Sequence, residues 1–217
     1  MATKETVVQI KSIDVKKINI RIVGDTPLVV HNWDVKAKQM MLDAQMGKTK
    51  TKARERKNPV SDFINSLYWI EGKPEEETEE GFSNAVMNGA RWGFPVGAIK
   101  MAANSAAYRL GWVKNQMALR GTYYLTSEDG ELAEIRGCVP TPREDMVRVG
   151  MGTADIRYRG EFKDWYMDFV LEYSEAGELS LEQILNCINA GGFSVGLGEW
   201  RPEKDGTFGR FHVETDI

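Results

Sequence analysis

The chain has 217 residues, of which 42% are hydrophobic and 28% charged, the balance of an ordinary globular protein. Its formal net charge of −4 excludes a polybasic coat, so nucleic-acid binding would require a local basic surface. Two distant cysteines, Cys138 and Cys187, and only two histidines exclude a disulfide framework and argue against a histidine-rich metal centre.

Hydrophobic periodicity, caps and turn residues predict a mixture of short strands and helices. In chain order, the predicted elements are a strand at 17–23, a short extended run at 28–30, helices at 34–46, 60–70 and 96–110, a hairpin of 119–126 and 132–139, a strand pair of 153–158 and 165–173, a helix at 180–190 and a strand at 209–214. The helix at 96–110 has the strongest signal, because it is rich in alanine and has one packing face. Ser180 and Gln183 form a capping box, and the glycines at 191–192 are expected to end that helix.

The order of these elements predicts an α+β fold with a ferredoxin-like β-α-β-β-α-β core and an extra hairpin. In this interpretation, 34–93 is a large helical and basic-loop insertion between the first strand and the first core helix. The acidic segment 71–80 and the proline-containing segment 140–150 are expected to be connections. Neither an internal repeat nor a second apolar core is visible, which favours a single domain spanning 1–217.

A glycine-rich segment before the last predicted strand is the first candidate site. Glycine lets backbone N–H groups approach a phosphate closely, which favours phosphate binding at Gly196 and Gly198. Arg201 and Arg210 could neutralise phosphates, and Trp200 could stack on a base. The alternative is that the glycines only shape turns. The segment is not a Walker A loop, because no lysine followed by threonine or serine completes it.

Basic residues provide two further candidates. Lys100 lies near the start of the helix at 96–110, where the helix dipole disfavours a cation unless an anion offsets it. This conflict suggests a bound phosphate, and the alternative is a lysine that faces solvent. A basic segment could also close over a nucleic-acid strand and release its counterions, or serve only solubility. Its cations are Lys48, Lys50, Lys52, Arg54, Arg56 and Lys57.

A histidine and an aspartate, His31 and Asp34, follow the extended run at 28–30. They could act as the general base and the metal ligand of a nuclease, but such enzymes generally gather several carboxylates, and none cluster here. Packing at the strand end, with Asp34 as a helix cap, is the favoured alternative. Trp33 is expected to be exposed, and His31, Trp33 and Arg91 complete the predicted nucleic-acid-binding residues.

Three segments together resemble the RAMP superfamily. FPVGAIKMAANSAAYRLG resembles its alanine-rich helix segment, GLGEWRPEKDGTFGRF resembles its C-terminal glycine-rich loop, and KINIRIVGDTPLVV resembles its first strand. The likeness is to the backbone subunits of CRISPR effector complexes, which polymerise along guide RNA. The pattern is also similar to small phage proteins of this length.

This resemblance implies a modified RRM-like core, a thumb-like insertion that contacts the neighbouring subunit, and sequence-independent binding of RNA or DNA. It matches Lys100 to the helix-start lysine that meets a backbone phosphate. It matches Gly196, Gly198, Arg201 and Gly209 to the glycine-rich loop. The loop departs from the family pattern in its length and in its acids, which are Glu199, Glu203 and Asp205.

We therefore expect a binding protein that repeats along a single strand, with no cofactor and no catalysis. A metal-dependent RNA endonuclease and a protein-interaction module that mimics a CRISPR subunit are the alternatives. The expected partners are single-stranded RNA or DNA, copies of the chain itself and other effector-complex subunits. The sequence shows neither the h-region of a signal peptide nor an apolar run of membrane-spanning length. We expect a cytoplasmic location in a bacterial host, with a host or phage gene as its source.

Overall fold

A computed structural model describes residues 13–33, 35–47, 57–149 and 153–214. Over these residues the protein is a mixed α+β structure with antiparallel sheets. The strands are β1 (Lys16–Gly24), β2 (Leu28–Val30), β3 (Trp69–Glu71), β4 (Arg91–Pro95), β5 (Tyr123–Thr126), β6 (Leu132–Arg136), β7 (Thr141–Val149), β8 (Thr153–Phe162), β9 (Tyr166–Tyr173) and β10 (Phe211–Val213). The helices are α1 (Val35–Gln45), α2 (Pro59–Ser66), α3 (Glu79–Met87), α4 (Val96–Arg109), α5 (Gln116–Arg120) and α6 (Leu181–Ser194).

The larger sheet has the strand order β10-β1-β9-β6-β4-β3, and β5 pairs with β9 on the same side as β6. Every pairing in it is antiparallel. As a consequence, β1 runs parallel to β5 with β9 between them, and β10 runs parallel to β9 with β1 between them. A smaller antiparallel sheet has the order β2-β8-β7. Since β1 and β2 are joined by a short turn, they link the two sheets directly.

The core lies between one face of the larger sheet and the helices α4 and α6. Ile20 and Ile22 of β1 are buried together with Phe169 of β9, as the two-residue period of a half-buried strand requires. Ile99 of α4 and Ile188 of α6 belong to the same cluster. In the described part of the chain, no helix has the length and apolar character needed to cross a membrane.

Several local predictions are confirmed. The strand at 17–23 and the helix at 96–110 are present as β1 and α4. The last strand is present as β10, although it begins at Phe211. These elements carry their signal in adjacent residues, either as strict alternation or as an alanine-rich helical stripe. Asp34, the expected cap of the helix at 34–46, lies outside the described residues, and that helix is α1.

The predicted hairpin of 119–126 and 132–139 has the wrong pairing. Its local turn exists, with Gly130 at a φ of 79°, but β5 and β6 each pair with β9 and not with each other. The segment also starts as helix α5, whose N-cap Asn115 accepts a hydrogen bond from the backbone N–H of Met117. Alternation identifies the buried face of a strand, but it does not identify the strand beside it.

The prediction for 140–150 is also wrong, because this segment is strand β7 and not a loop. It pairs with β8 along its whole length, from Thr141 opposite Glu161 to Val149 opposite Thr153. The predicted pairing of 153–158 with 165–173 therefore fails, since β8 pairs with β7 and β2, whereas β9 pairs with β1, β5 and β6. Pro142 misled the prediction; it is tolerated because β7 is an edge strand.

Helix α6 does not end at the glycines 191–192 but continues to Ser194. A Cβ atom at Gly191 would lie 2.7 Å from the backbone nitrogen of Ala103 in α4. At Gly192 it would lie 2.0 Å from the carbonyl oxygen of Phe211 in β10. These glycines are therefore contact points between elements, and their absent side chains let α6 approach both α4 and β10.

The predicted 34–93 insertion contributes strand β3 and the first part of strand β4 to the larger sheet. Helix α2 ends at Ser66, earlier than the predicted 60–70, and the chain then enters β3 at Trp69. Strand β3 pairs with β4, and β4 pairs with β6. The acidic connection predicted at 71–80 leads into α3, which begins within it at Glu79.

The capping box of α6 gives a stability prediction. The Ser180 side chain accepts a hydrogen bond from the backbone N–H of Gln183, and the Gln183 side chain accepts one from the N–H of Ser180. We expect Ser180→Ala to lower the free energy of unfolding by about 1 kcal/mol in urea denaturation. Ser83→Ala is the control, since Ser83 is exposed inside α3 and its hydroxyl donates back to Glu79 O. Equal unfolding curves for the two variants would contradict the capping role.

Candidate nucleic-acid interface

A groove of about 860 Å³ lies between the helices α4 and α5 and the glycine-rich loop that follows α6. The end of β2 closes one side of it through the residues that follow Val30. The groove brings together six of the predicted nucleic-acid-binding residues, which are His31, Trp33, Lys100, Gly196, Gly198 and Arg201. These positions are separated by up to 170 residues in the sequence, and the fold alone places them on one surface.

The glycine-rich loop is held in place by backbone hydrogen bonds to β2 and the turn before it. The N–H of Glu199 donates to Val29 O at 2.8 Å, and the N–H of Gly209 donates to Pro27 O at 2.8 Å. Gly198 has a φ of 70°, and a Cβ atom there would lie 2.2 Å from Val29 O. This glycine is thus required for the turn and for the close approach of the two backbones.

The first turn of α4 faces the groove through Gly97 and Ala98. Its N-cap, Pro95, makes no side-chain capping hydrogen bond, the backbone N–H of Val96 donates to Glu131 O at 3.0 Å, and a Cβ atom at Gly97 would meet open space. A helix start of this kind offers backbone N–H groups and a partial positive charge to an anion. The partial positive charge of this helix N-terminus therefore lies at one wall of the groove, and it does not depend on ionised side chains.

Lys100 lines the groove but is directed toward the chain that follows α4. Its ammonium group donates to Arg120 O at 2.8 Å and to Tyr123 O at 2.5 Å, and it lies 4.6 Å from the centre of the Tyr124 ring. Burial lowers the pKa of Lys100. The two carbonyl oxygens and the aromatic ring thus stabilise the positive charge of Lys100 near the helix start. The sequence interpretation had assigned this stabilisation to a bound phosphate.

Two arginines in the groove share one carboxylate. Arg201 donates to Glu203 through Nε at 3.0 Å and Nη2 at 2.7 Å, and Arg109 donates to the same side chain at 2.6 Å. Although burial opposes it, the hydrogen bond and charge of Arg201 and the charge of Arg109 lower the pKa of Glu203. The three side chains together keep one net positive charge on the groove wall.

The groove as a whole is more basic than the chain. Its lining contains four cationic side chains and two carboxylates, Glu199 and Glu203, although the chain has a net charge of −4. Arg120 is exposed and makes no ion pair with any described residue. Trp33 is 53% exposed at the same surface, where its ring is free to stack.

His31 lies at the end of the groove next to the smaller sheet. Its Nδ1 is buried and has no hydrogen-bond partner among the described residues. Burial, and to a lesser extent the charge of Arg159, lowers the pKa of His31. The imidazole is therefore neutral at neutral pH. Within the described ranges, no group of three or more His, Cys, Asp or Glu side chains could hold a metal ion.

The other predicted residues that the structure describes lie outside the groove. The guanidinium of Arg210 stacks 5.0 Å above the Phe193 ring, and Arg91 pairs with Asp129 at 2.6 Å. Arg91 also pairs with Glu134 at 3.0 Å, so two carboxylates already balance its charge. Lys57 pairs with Asp155 on β8 at 2.7 Å. The other cations of the basic segment lie outside the described residues, and they are Lys48, Lys50, Lys52, Arg54 and Arg56.

Trp200 is turned toward the smaller sheet. It has a φ of 54° and is 39% exposed, and its ring lies 6.0 Å from the guanidinium of Arg159. The ring thus helps to attach the glycine-rich loop to the smaller sheet.

Arg109 and Arg120 are groove residues that the sequence interpretation missed. Arg109 is the last residue of α4, and Arg120 is the last residue of α5, in a segment predicted as a strand. Asn115 could have indicated α5, because asparagine is a preferred N-cap and a short helix follows it. The position of either arginine beside the glycine-rich loop has no local signal.

No family model matches the chain, and no curated protein is significantly similar to it.

Proposed function

We propose that the chain binds single-stranded nucleic acid in this groove, without reading its base sequence. The observation that carries the proposal is the convergence, in one groove, of a helix start without a side-chain cap, an excess of cationic side chains and the exposed ring of Trp33. A charged channel with aromatic stacking platforms is the general solution for binding a single strand, because every base has a π-face and every nucleotide a phosphate.

We further propose that the core is ferredoxin-like. The support comes from the connections β1-α4-β5/β6-β9-α6-β10 together with the strand order β10-β1-β9-β5/β6. Each helix then joins two parallel strands that have a third strand between them, the split βαβ arrangement of this fold. In this interpretation β5 and β6 act as one core strand that is interrupted by the turn at 127–131.

Repetition of the chain along a strand, as the RAMP resemblance implies, belongs to the same proposal. Large apolar side chains are exposed near the end of α4, in the connection to α5 and on α5, close in sequence to the groove residues Arg109 and Gln116. Tyr108 is 50% exposed, Trp112 is 53% exposed and Met117 is 65% exposed. Exposed apolar side chains that lie close together are typical of surfaces that contact another protein. A neighbouring subunit bound to the same strand would cover them.

A binding titration tests the proposal. Protein freed of nucleic acid is titrated into labelled single-stranded RNA, single-stranded DNA and duplex DNA of about 20 nucleotides, and fluorescence anisotropy is followed. We expect both single strands to bind at low salt, with log K falling against log salt at a slope of about −2 or steeper, the release from three or more phosphates. Duplex should bind more weakly, because its bases cannot stack on Trp33.

Sedimentation of the same complexes tests repetition along the strand. Doubling the length of the single strand should double the number of bound chains. Absence of single-strand binding at the lowest salt would contradict the proposed function. Binding that stays at one chain for every strand length would contradict the filament alone.

A further inference from the structure

A buried arginine of β8 lies behind the end of the groove. Arg159 is only 4% exposed, and its Nη1 donates to Asp145 Oδ2 at 3.0 Å. Asp145 is 8% exposed and also accepts a hydrogen bond from Arg143 Nε at 2.9 Å. A cation that is removed from water to this extent needs several well-placed acceptors, since losing its hydration is costly.

The opposite edge of the Arg159 guanidinium is poorly satisfied. Its Nε is buried and has no hydrogen-bond partner among the described residues. Its Nη2 makes a single long contact of 3.4 Å with Glu199 Oε2. The Nε–H and Nη2–H bonds point in the same direction and together match the two oxygens of a carboxylate or phosphate. Glu199 meets only one of the two donors, so the edge that fits a bidentate anion is left half used.

Glu199 connects this edge to the groove, because its side chain contacts Nη2 and also lines the groove. His31 lines the groove as well, and the Glu199 side chain is 42% exposed. The unpartnered Nδ1 of His31 supplies a second orphan polar atom at the same end. One buried cation and one imidazole, each with an unpartnered polar atom, thus lie near the partly exposed carboxylate of Glu199.

We propose that the Nε–Nη2 edge of Arg159 is a phosphate subsite and that Glu199 is the carboxylate that a backbone phosphate displaces. The proposal rests on the proposed function, because the phosphate belongs to a single strand in the groove. The exchange conserves charge, since a phosphodiester carries the same single negative charge as the glutamate that leaves. The entering phosphate pairs with both donors, whereas Glu199 pairs with one, and Asp145 continues to hold Nη1.

The Glu199→Gln variant tests the exchange while Asp145 continues to pair with the buried arginine. It removes the competing charge from a half-exposed side chain, so we expect it to tighten single-strand binding about tenfold at low salt. Glu175→Gln is the matched control, because Glu175 is exposed in the connection between β9 and α6 and the charge change is identical. We expect the control to change affinity less than about twofold.

Two further measurements place the effect at Arg159. In protein labelled with ¹⁵N-arginine, the side-chain Nε–H resonance that Arg159→Lys removes should shift on addition of the single strand. In the Arg159→Lys background, which keeps the charge but lacks the bidentate edge, Glu199→Gln should gain less than about twofold in affinity. The unfolding curve of Arg159→Lys establishes that the double variant is folded.

The outcomes separate this inference from the proposed function. If the wild type binds a single strand, and Glu199→Gln and Glu175→Gln change its affinity equally, the phosphate subsite is overturned. The groove then remains the binding site. An Arg159 resonance that does not move in the saturated complex overturns it as well. Inorganic phosphate is titrated in parallel. A response of Arg159 to inorganic phosphate, with no response to the strand, would overturn the nucleic-acid source of the phosphate. If no variant binds a single strand, the proposed function itself fails.

Discussion

Replacing Gly192 with alanine is expected to lower the free energy of unfolding by about 3 kcal/mol. Gly192 lies in the last turn of α6, where the new Cβ atom would be 2.0 Å from Phe211 O and 2.7 Å from Phe211 Cδ2. Two of the three closest atoms belong to the backbone of β10, so a rotamer change cannot relieve the overlap. Either α6 or β10 must move, and Phe211, which is 1% exposed, would lose its packing against Trp165.

Gly97→Ala is the matched control for this prediction. Gly97 also lies in a helix, but a Cβ atom there has no neighbour within 4 Å. We expect this variant to gain about 0.5–1 kcal/mol, the usual preference of a helix for alanine over glycine. Urea denaturation of the two variants beside the wild type measures the difference. Gly192→Ala with wild-type stability would show that α6 and β10 are not in contact at this position.

The sequence was sufficient where an element carries its own signal. The alternation of Ile18, Ile20 and Ile22 predicts β1, and the capping box of Ser180 with Gln183 predicts the start of α6. Both signals are local, since they depend on residues within one strand or one helical turn. The same reasoning failed at the end of α6, because a glycine pair that resembles a stop signal is needed instead for contacts with Ala103 and Phe211.

Pairing between strands could not be predicted in the same way. The face on which Ile135 is buried can be read from β6 itself, but its partner Met167 belongs to a strand more than 30 residues away. Register and neighbour are decided by the packing of the whole sheet, which local alternation does not encode. The pairing of β7 with β8 was missed for the same reason, with Pro142 adding a misleading signal.

The candidate site was predicted in part. Chemistry identified residue types that suit a phosphate or a base, and six of those residues line the groove. It did not reveal that Arg91 and Arg201 form ion pairs with carboxylates. Nor did it reveal that Lys100 donates hydrogen bonds to backbone carbonyls. These pairings are formed between elements, so they are visible only after folding.

The second large effect concerns the groove itself. We expect a variant that combines Trp33→Ala with Arg120→Gln to bind a single strand about 100-fold more weakly at low salt. Loss of the stacking ring should cost about 2 kcal/mol, and loss of a cation that contacts a phosphate should cost about 1 kcal/mol. Neither substitution should unfold the protein, because Trp33 is 53% exposed and Arg120 is exposed and makes no ion pair with a described residue.

A control variant with the same types of change separates the groove from the rest of the surface. Trp112 is also 53% exposed but does not line the groove, and Arg148 is exposed on β7, away from it. Trp112→Ala combined with Arg148→Gln removes one tryptophan and one cation, as the groove variant does. We expect its affinity for a strand short enough to bind one chain to stay within about twofold of the wild type.

The salt dependence of single-strand binding by these two variants and the wild type tests the central claim most directly. The account predicts that the groove variant loses about 100-fold in affinity at low salt and that its log–log salt slope becomes shallower by about 0.7, one phosphate contact. The control should keep both the affinity and the slope of the wild type. Equal losses in the two variants, or a groove variant with unchanged slope and affinity, would show that the strand is bound elsewhere.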